Sequence, residues 1–574
     1  MIGQKTKKIF SELLKKQAKK ALSDKIDLLN IVVEFPLPEF GDYSLNLALK
    51  FWQDFGFKNP HEFAVKIKED LDQNKQLMKV ISKIQVEEPG FINFWLKPEY
   101  LLDVVKEINK AGSRFGRTRE MSQKIMVEYA HPNTHKEMHI GHMRTLITGE
   151  ALSRIFETAG AKVFRANYQG DIGPHVAKSI WGTIQLLKER SQTWEQWEAE
   201  SSFKKAHLLG EGYVRGNQDY ESHKEEIDDL NADLYQNNPK VMPIYFRTRK
   251  WCLDYYDNFY KRFGTHFDRL FFESEVAEEG KKLVLANLGK IFEKSDGAII
   301  FDGTKYGLHK RVFVTAEGYP TYEGKEMYLA QKQRQTFKFD KNVHVVANEQ
   351  AEYFKVVFKA IELLDPWFKN RERHLSMGMV NLVNQKISSR RGIVITVDGL
   401  LDEVKTMARQ LTSSSKELGS ETEDIIEKIT LAAVKYSVLK AHPTLNVEFD
   451  LKRSVDMDGS SGPYIQYVFA RCKSVLEKAK GSAMVGRVLS DEELVVARWL
   501  TKFPEIILRS AEQMAPNLIC SYLFELCQKF NNFYQKNRII GSKEESSRLA
   551  LTKAVAQVIE NGLWLLGIEA PSRM

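Results

Sequence analysis

Residues 124–160 read KIMVEYAHPNTHKEMHIGHMRTLITGEALSRIFETAG, and the rest of the chain is organised around them. The run Ile125 to Tyr129 is short, apolar and partly β-branched, which predicts a buried strand. A polar loop follows. Met143, Ile147, Ala151, Ile155 and Ala159 then form a stripe at helical spacing, and Gly160 ends it. His139-Ile140-Gly141-His142 therefore falls where a strand gives way to a helix N-terminus. Free backbone N–H groups and the helix dipole draw phosphate to such a place. Gly141 lets a ligand approach the backbone closely, and two imidazoles can donate to phosphate oxygens. The segment reads as a nucleotide site in an α/β fold.

Glu128, Pro132-Asn133, Lys136, His139-Ile140-Gly141-His142 and Arg144 together spell E-x-x-x-P-N-x-x-K-x-x-H-x-G-H-x-R. This resembles the first signature of the class I aminoacyl-tRNA synthetases, and among them most resembles arginyl-tRNA synthetase. The resemblance extends from the N-terminal segment to Met574.

Composition sets the outer bounds. A chain of 574 residues is too long for one core and suggests three or four domains. A formal charge of +8 and a pI near 8.9 permit a polyanionic partner without proving one. No apolar run reaches transmembrane length, and the lysine-rich start has no apolar core of a signal peptide. Cys252, Cys472, Cys520 and Cys527 are scattered with no C-x-x-C pair. That spacing speaks against structural zinc and a disulfide framework and fits a reducing cytoplasm.

Residues 1–115 read as a small α+β domain, opening with a basic amphipathic helix over 1–25. Gly41-Asp42-Tyr43-Ser44 and Pro89-Gly90-Phe91-Ile92-Asn93-Phe94 are similar to the N-terminal domain of arginyl enzymes, which in that family touches the outer corner of the tRNA. The resemblance implies that Phe91 stacks on an unpaired base and Asn93 reads its edge, while Phe94 reads as core. Residues 116–395 form the catalytic domain. Strand patterns recur at 162–168, 298–301, 312–315, 343–346 and 374–380, with a helical insertion at about 185–265. Strands alternating with helices predict a split Rossmann-type parallel sheet with right-handed crossovers. A linker follows at 396–424. Residues 425–574 show helical period and no convincing strand, and resemble the all-helical anticodon-binding domain of arginyl enzymes. There Tyr464, Tyr534 and Met574 are candidates for stacking on anticodon bases.

Lys386-Ile387-Ser388-Ser389-Arg390 is similar to the mobile K-M-S-K-S loop of class I enzymes. Such a loop swings a cation onto the leaving pyrophosphate. Ser389 stands where the second lysine usually is, and either Lys136 or Arg390 supplies the missing charge.

What the resemblance implies for chemistry is an arginine–tRNA ligase. His139, Gly141 and His142 would hold the phosphates of ATP, Lys386 the pyrophosphate, with Ser388 in the same lid. Mg²⁺ would arrive on the nucleotide, since no cage of acids for a private metal is visible. A guanidinium is planar, permanently charged and rich in donors, so it asks for carboxylates placed to accept forked hydrogen bonds. The resemblance gives the arginine pocket as Glu128, Asn133, His139, Glu273, Tyr322, Glu326 and Gln350. Tyr322 and Glu326 are one helical turn apart. Glu326 stands where the family usually has Asp. The partners implied are L-arginine, ATP and the tRNA for arginine, with no membrane and a monomeric state. The rival readings are a lysyl or cysteinyl class I enzyme, a non-catalytic RNA-binding relative, and a small nucleotidylyltransferase.

Overall fold

The structure is a computed structural model that describes residues 33–383, 396–412, 422–481, 483, 484, 486 and 490–574. The predicted helix over 1–25 lies outside the described residues, as do Lys386, Ser388 and Arg390.

An N-terminal antiparallel sheet holds β1 (Val33–Glu34), β2 (Tyr43–Leu45), β3 (Ile81–Glu87) and β4 (Phe91–Leu96) in the order β1-β2-β4-β3. Phe94 is 1% exposed and belongs to the core, as its place in the strand predicts.

The central sheet is built from β5 (Lys124–Glu128), β6 (Lys162–Gln169), β7 (Arg269–Phe272), β11 (Lys341–Ala347) and β12 (Glu372–Met377). All its pairings are parallel and the order is β12-β11-β5-β6-β7. From β5 the chain winds outward through β6 to β7, then returns to add β11 and β12 on the other side. The winding direction reverses between β5 and β11, and the crevice at the carboxyl ends of those strands is where doubly wound sheets bind ligands. Ile125, Met126 and Val127 are at most 1% exposed, as a central strand covered on both faces requires.

The helix Ile140–Ala159 starts beside that crevice and ends at Gly160, whose φ of 109° suits glycine. Its Gly149 is set by close approach, because a Cβ there would lie 2.2 Å from Cγ of Tyr129. Between β6 and β7 the insertion is helical, with Pro174–Glu189, Ser202–Gln218, Lys224–Tyr235 and Met242–Arg262 as its main elements.

Three features depart from the sequence reading. The strands β9 (Ala298–Asp302) and β10 (Lys310–Val314) do not enter the parallel sheet, but pair antiparallel with β8 (Glu293–Ser295) in a sheet of their own. The linkers between them are too short for the crossover that parallel pairing needs. β7 gave no clear pattern, being four residues long and headed by Arg269. Among the described residues the C-terminal region contributes one strand, β14 (Val447–Phe449), which pairs parallel with β13 (Val380–Leu382). Otherwise that region is helical, with Thr422–Leu439, Gly462–Lys478, Asn517–Lys536 and Glu545–Leu565 the longest helices.

Candidate active site

A cavity of about 870 Å³ opens at the carboxyl ends of the central strands. All seven residues assigned to the amino acid, together with Gly141 and His142, line it.

His139 and His142 stack at the helix start with ring centroids 3.7 Å apart. Each caps the helix: Nδ1 of His139 accepts from the Gly141 backbone N–H at 3.1 Å, and Nδ1 of His142 accepts from that of His139 at 3.4 Å. Removal from water lowers His139 to about 4, with the Lys136 charge adding to it, and holds His142 well below its usual value. Two neutral rings whose Nδ1 atoms accept must carry their protons on Nε2, so each offers one N–H to a phosphate oxygen.

The loop before them is held in an unusual shape. Ala130, His131 and His135 have φ of 78°, 51° and 63°, left-handed conformations that cost non-glycine residues about 1–3 kcal/mol each. His135 locks the loop from below, 2.8 Å from Thr248 Oγ1 and 2.9 Å from Thr134 Oγ1. The result carries Asn133 over Gly170, where a Cβ would come within 2.2 Å of Asn133 Oδ1. That contact explains the glycine.

The floor is acidic and closely organised. Glu128 ends β5 and is the register partner of His344 on β11. Nδ1 of His344 lies 3.1 Å from Glu128 Oε1, and its Nε2 lies 2.7 Å from Glu372 Oε2. Burial alone would hold the imidazole neutral; the two carboxylates reverse this and raise it well above its usual value. Its charge in turn holds the Glu128 carboxyl below the ordinary range against the effect of burial. Gln333 donates to the other oxygen of Glu128.

Glu273, in the turn after β7, is 2% exposed and accepts from Lys325 Nζ at 2.6 Å. Burial pulls that ammonium down, but Glu273 more than reverses it. Asp171, fully buried, fixes the same turn: it accepts from Ser274 N at 2.8 Å and Ser274 Oγ at 2.7 Å, and pairs with Arg249 Nε at 2.8 Å. Glu326 is 6% exposed and accepts from the Tyr353 hydroxyl at 3.3 Å. Tyr322 stands at the rim, 53% exposed. Gln350 ends the short turn Asn348–Gln350 that follows β11.

Several residues of the site escaped the sequence reading. It gave Asp171, Tyr168 and Lys325 no role. His344 and Glu372 give no local signal, because they meet Glu128 only through the register of three parallel strands. Lys136 is not among the cavity-lining residues; its Nζ lies 4.1 Å from the centre of the Tyr213 ring.

The tRNA candidates divide. Phe91 is half-buried and Tyr534 is 37% exposed. Asn93, expected at a base edge, is instead buried at 2% exposure on β4. Tyr464, expected on a stacking surface, is buried against Phe524, and its hydroxyl accepts from Asn531 at 3.1 Å. One turn further on, Tyr467 is exposed, and the Arg471 guanidinium lies between its ring and that of Tyr534, at 4.7 and 5.2 Å. Met574 packs against Ala408, Ile425, Ile426 and Ile429.

A parallel sheet with its switch point beside a His-Ile-Gly-His helix start, split by a helical insertion and followed by a helical domain, defines a class I aminoacyl-tRNA synthetase. Comparison with known proteins narrows this. Residues 104–451 match the model for the tRNA synthetases class I (R) catalytic domain, residues 465–574 that for the DALR anticodon binding domain, and residues 8–96 that for the arginyl tRNA synthetase N terminal domain. The chain belongs to the arginyl-tRNA synthetase family. It is 30% identical to the arginine–tRNA ligase of Bacteroides thetaiotaomicron, over 90% of this chain and 91% of that protein. It is also 30% identical to that of Borreliella burgdorferi, with 98% of each covered. The solved arginyl-tRNA synthetase of Thermus thermophilus shares the fold, with a TM-score of 0.82 over 98% of this chain and 100% of that one at 23% identity.

Proposed function

We propose that the chain charges its tRNA with arginine in two displacements, both in the cavity at the switch point. The carboxylate of L-arginine attacks the α-phosphorus of ATP and expels pyrophosphate. A ribose hydroxyl of the terminal tRNA adenosine then attacks the mixed anhydride and releases AMP. The first step is an in-line transfer, so the protein acts mainly by positioning and by meeting growing negative charge.

In this reading the Nε2–H groups of His139 and His142 donate to phosphate oxygens, and Gly141 lets the nucleotide reach the free N–H groups of the helix start. Mg²⁺ travels with the nucleotide; among the described residues no cluster of three or more His, Cys, Asp or Glu side chains forms a metal cage. Lys386, Ser388 and Arg390 form the pyrophosphate lid. Asn133 and Gln350 hold the amino and carboxylate end of arginine, Tyr322 covers its stem, and the acids below receive the guanidinium. Phe91 and the exposed Tyr534 remain candidates for tRNA bases.

The observation that carries the reading is the convergence of Glu128, Glu273 and Glu326, from β5, the turn after β7 and the helix Tyr322–Thr336, on one cavity beside the histidine pair. ATP–pyrophosphate exchange with tRNA present tests it: exchange dependent on arginine supports the assignment, and exchange dependent on lysine or cysteine would replace it.

A further inference from the structure

The acids of the cavity are not equivalent. Glu128 has His344 as its base, and His344 is shared with Glu372. Glu273 has Lys325, and Glu323 has Arg311 at 3.2 Å. Glu326 is in no ion pair among the described residues. Its neighbours are Glu128 on β5, His344 on β11, Glu372 on β12, Tyr168 on β6 and Tyr353 on the helix Ala351–Leu364. Lys325 and Glu323, beside it on its own helix, already have partners. His131 lies 3.8 Å from Glu128. The hydroxyl of Tyr168 is buried at the cavity wall with no hydrogen-bond partner among the described residues.

A buried carboxylate without a cation is unfavourable, so an acid in this position keeps its proton until a cation arrives. Glu128, Glu273 and Glu323 each pair with a base of the protein, and Glu326 pairs with none among the described residues. Glu326 is thus the buried acid of the cavity that an incoming guanidinium finds without a cation partner. The guanidinium cannot bring or remove the proton itself, because it does not titrate in the working range.

We infer that Glu326, already an acid of the arginine pocket in the proposed reading, meets arginine as a neutral carboxylic acid and becomes the guanidinium's carboxylate by losing one proton to solvent. The O–H bond of the carboxyl breaks, the electron pair stays on oxygen, and the buffer takes the proton; no other reactant is needed. The unpartnered Tyr168 hydroxyl is placed to complete the donor and acceptor set around the new ion pair. Selectivity follows from the exchange. Citrulline, neutral with nearly the same outline, gains no ion pair and releases no proton.

This inference rests on the arginine reading and sharpens it. Burial, reinforced by the Glu128 carboxylate, pushes Glu326 up to about 8. Below that pH arginine competes with a proton, and above it the competition ends. The arginine KM in tRNA charging should therefore fall roughly 25-fold from pH 6.5 to 8.5, while the ATP KM does not follow it. Calorimetric titration with arginine at pH 7, in phosphate and in Tris, should count about 0.9 proton released per arginine. Glu326→Gln should raise the arginine KM, flatten its pH profile and abolish the release. The citrulline inhibition constant should be flat with pH in the wild type. A wild-type arginine KM that is level across this range, or heats that do not depend on the buffer, would overturn the inference, whether or not Glu326→Gln is active. Absence of arginine charging at every pH would instead overturn the arginine reading itself.

Discussion

The guanidinium of Arg144 donates to the carbonyl oxygen of Leu445 at 2.6 Å, across 301 residues of chain. It also donates to the carbonyl oxygens of Gly378, Met379 and Pro443, the last two at 2.8 and 3.0 Å. One buried side chain thus ties the histidine-bearing helix to the turn between β12 and β13 and to the loop before β14. Lys386 follows shortly after β13 in sequence. The clamp therefore joins the phosphate end of the site to the β12–β13 turn and to the C-terminal region.

Replacing Arg144 should show this coupling. A lysine keeps the charge but cannot fork toward four carbonyls, each of which costs about 1–3 kcal/mol when left buried and unpaired. Arg144→Lys is expected to lower the thermal midpoint by several degrees and kcat by roughly 10- to 100-fold, a size typical of misplacement by about an ångström. The arginine KM should change little. Thermal unfolding and charging kinetics check it, and a kcat within twofold of wild type would mean that the clamp serves stability alone.

His142→Ala should reduce adenylate formation by roughly a hundredfold or more, the scale of a lost preorganised donor, while tRNA affinity changes little. The pH profile is a second check. Both imidazoles are held low, His139 to about 4, so they stay neutral and active as pH falls through 6.5. Single-turnover activation should show no loss near pH 6.5 from these rings; such a loss in wild type that is absent from His142→Ala would contradict the assignment.

Asp171→Asn should act on arginine through Glu273. The carboxylate holds both donors of Ser274 and pairs with Arg249, so the amide would free the turn and leave a partly buried guanidinium without its counter-charge. Breaking such a pair typically costs about 3–5 kcal/mol. The expected outcome is a loss of thermal stability with an arginine KM raised at least about tenfold and a nearly constant ATP KM. Kinetics with each substrate varied in turn check this.

Much of this was legible in the sequence. The strand–loop–helix around His139 could be read because its apolar period changes from strand to helix within a few residues, and Gly160 marks the end. The seven arginine residues could be named because a resemblance supplied their order, and the cavity gathers them all. What stayed hidden depends on register and burial. His344 is a histidine among valines until β11 sets it beside Glu128 and Glu372. Lys325, one position before Glu326, points to Glu273 rather than to solvent. Asn93 and Tyr464 carry the right chemistry for bases but face inward, which motif position cannot reveal.

Lys435 makes stability depend on pH. It is buried and donates to the carbonyl oxygens of Phe263, at 2.8 Å, and of Gly567, tying the insertion's last helix to the C-terminus. Burial lowers it from 10.5 to about 7, with Arg154 acting in the same direction. Between those values the unfolded chain binds more protons than the folded one, so stability rises with pH; below pH 7 both forms are charged and the penalty is constant. The gain from this group should be about 2 kcal/mol between pH 7 and 9. Lys435→Met should lack that increment, which denaturation of both proteins at the two pH values checks.

The central claim is most directly tested by tRNA charging with each of the twenty amino acids, ATP and magnesium being present throughout. Only arginine should enter the tRNA fraction, and Glu326→Gln should form that product only at raised arginine while His142→Ala forms it slowly. Charging by another amino acid, or none by any of the twenty, would contradict the account.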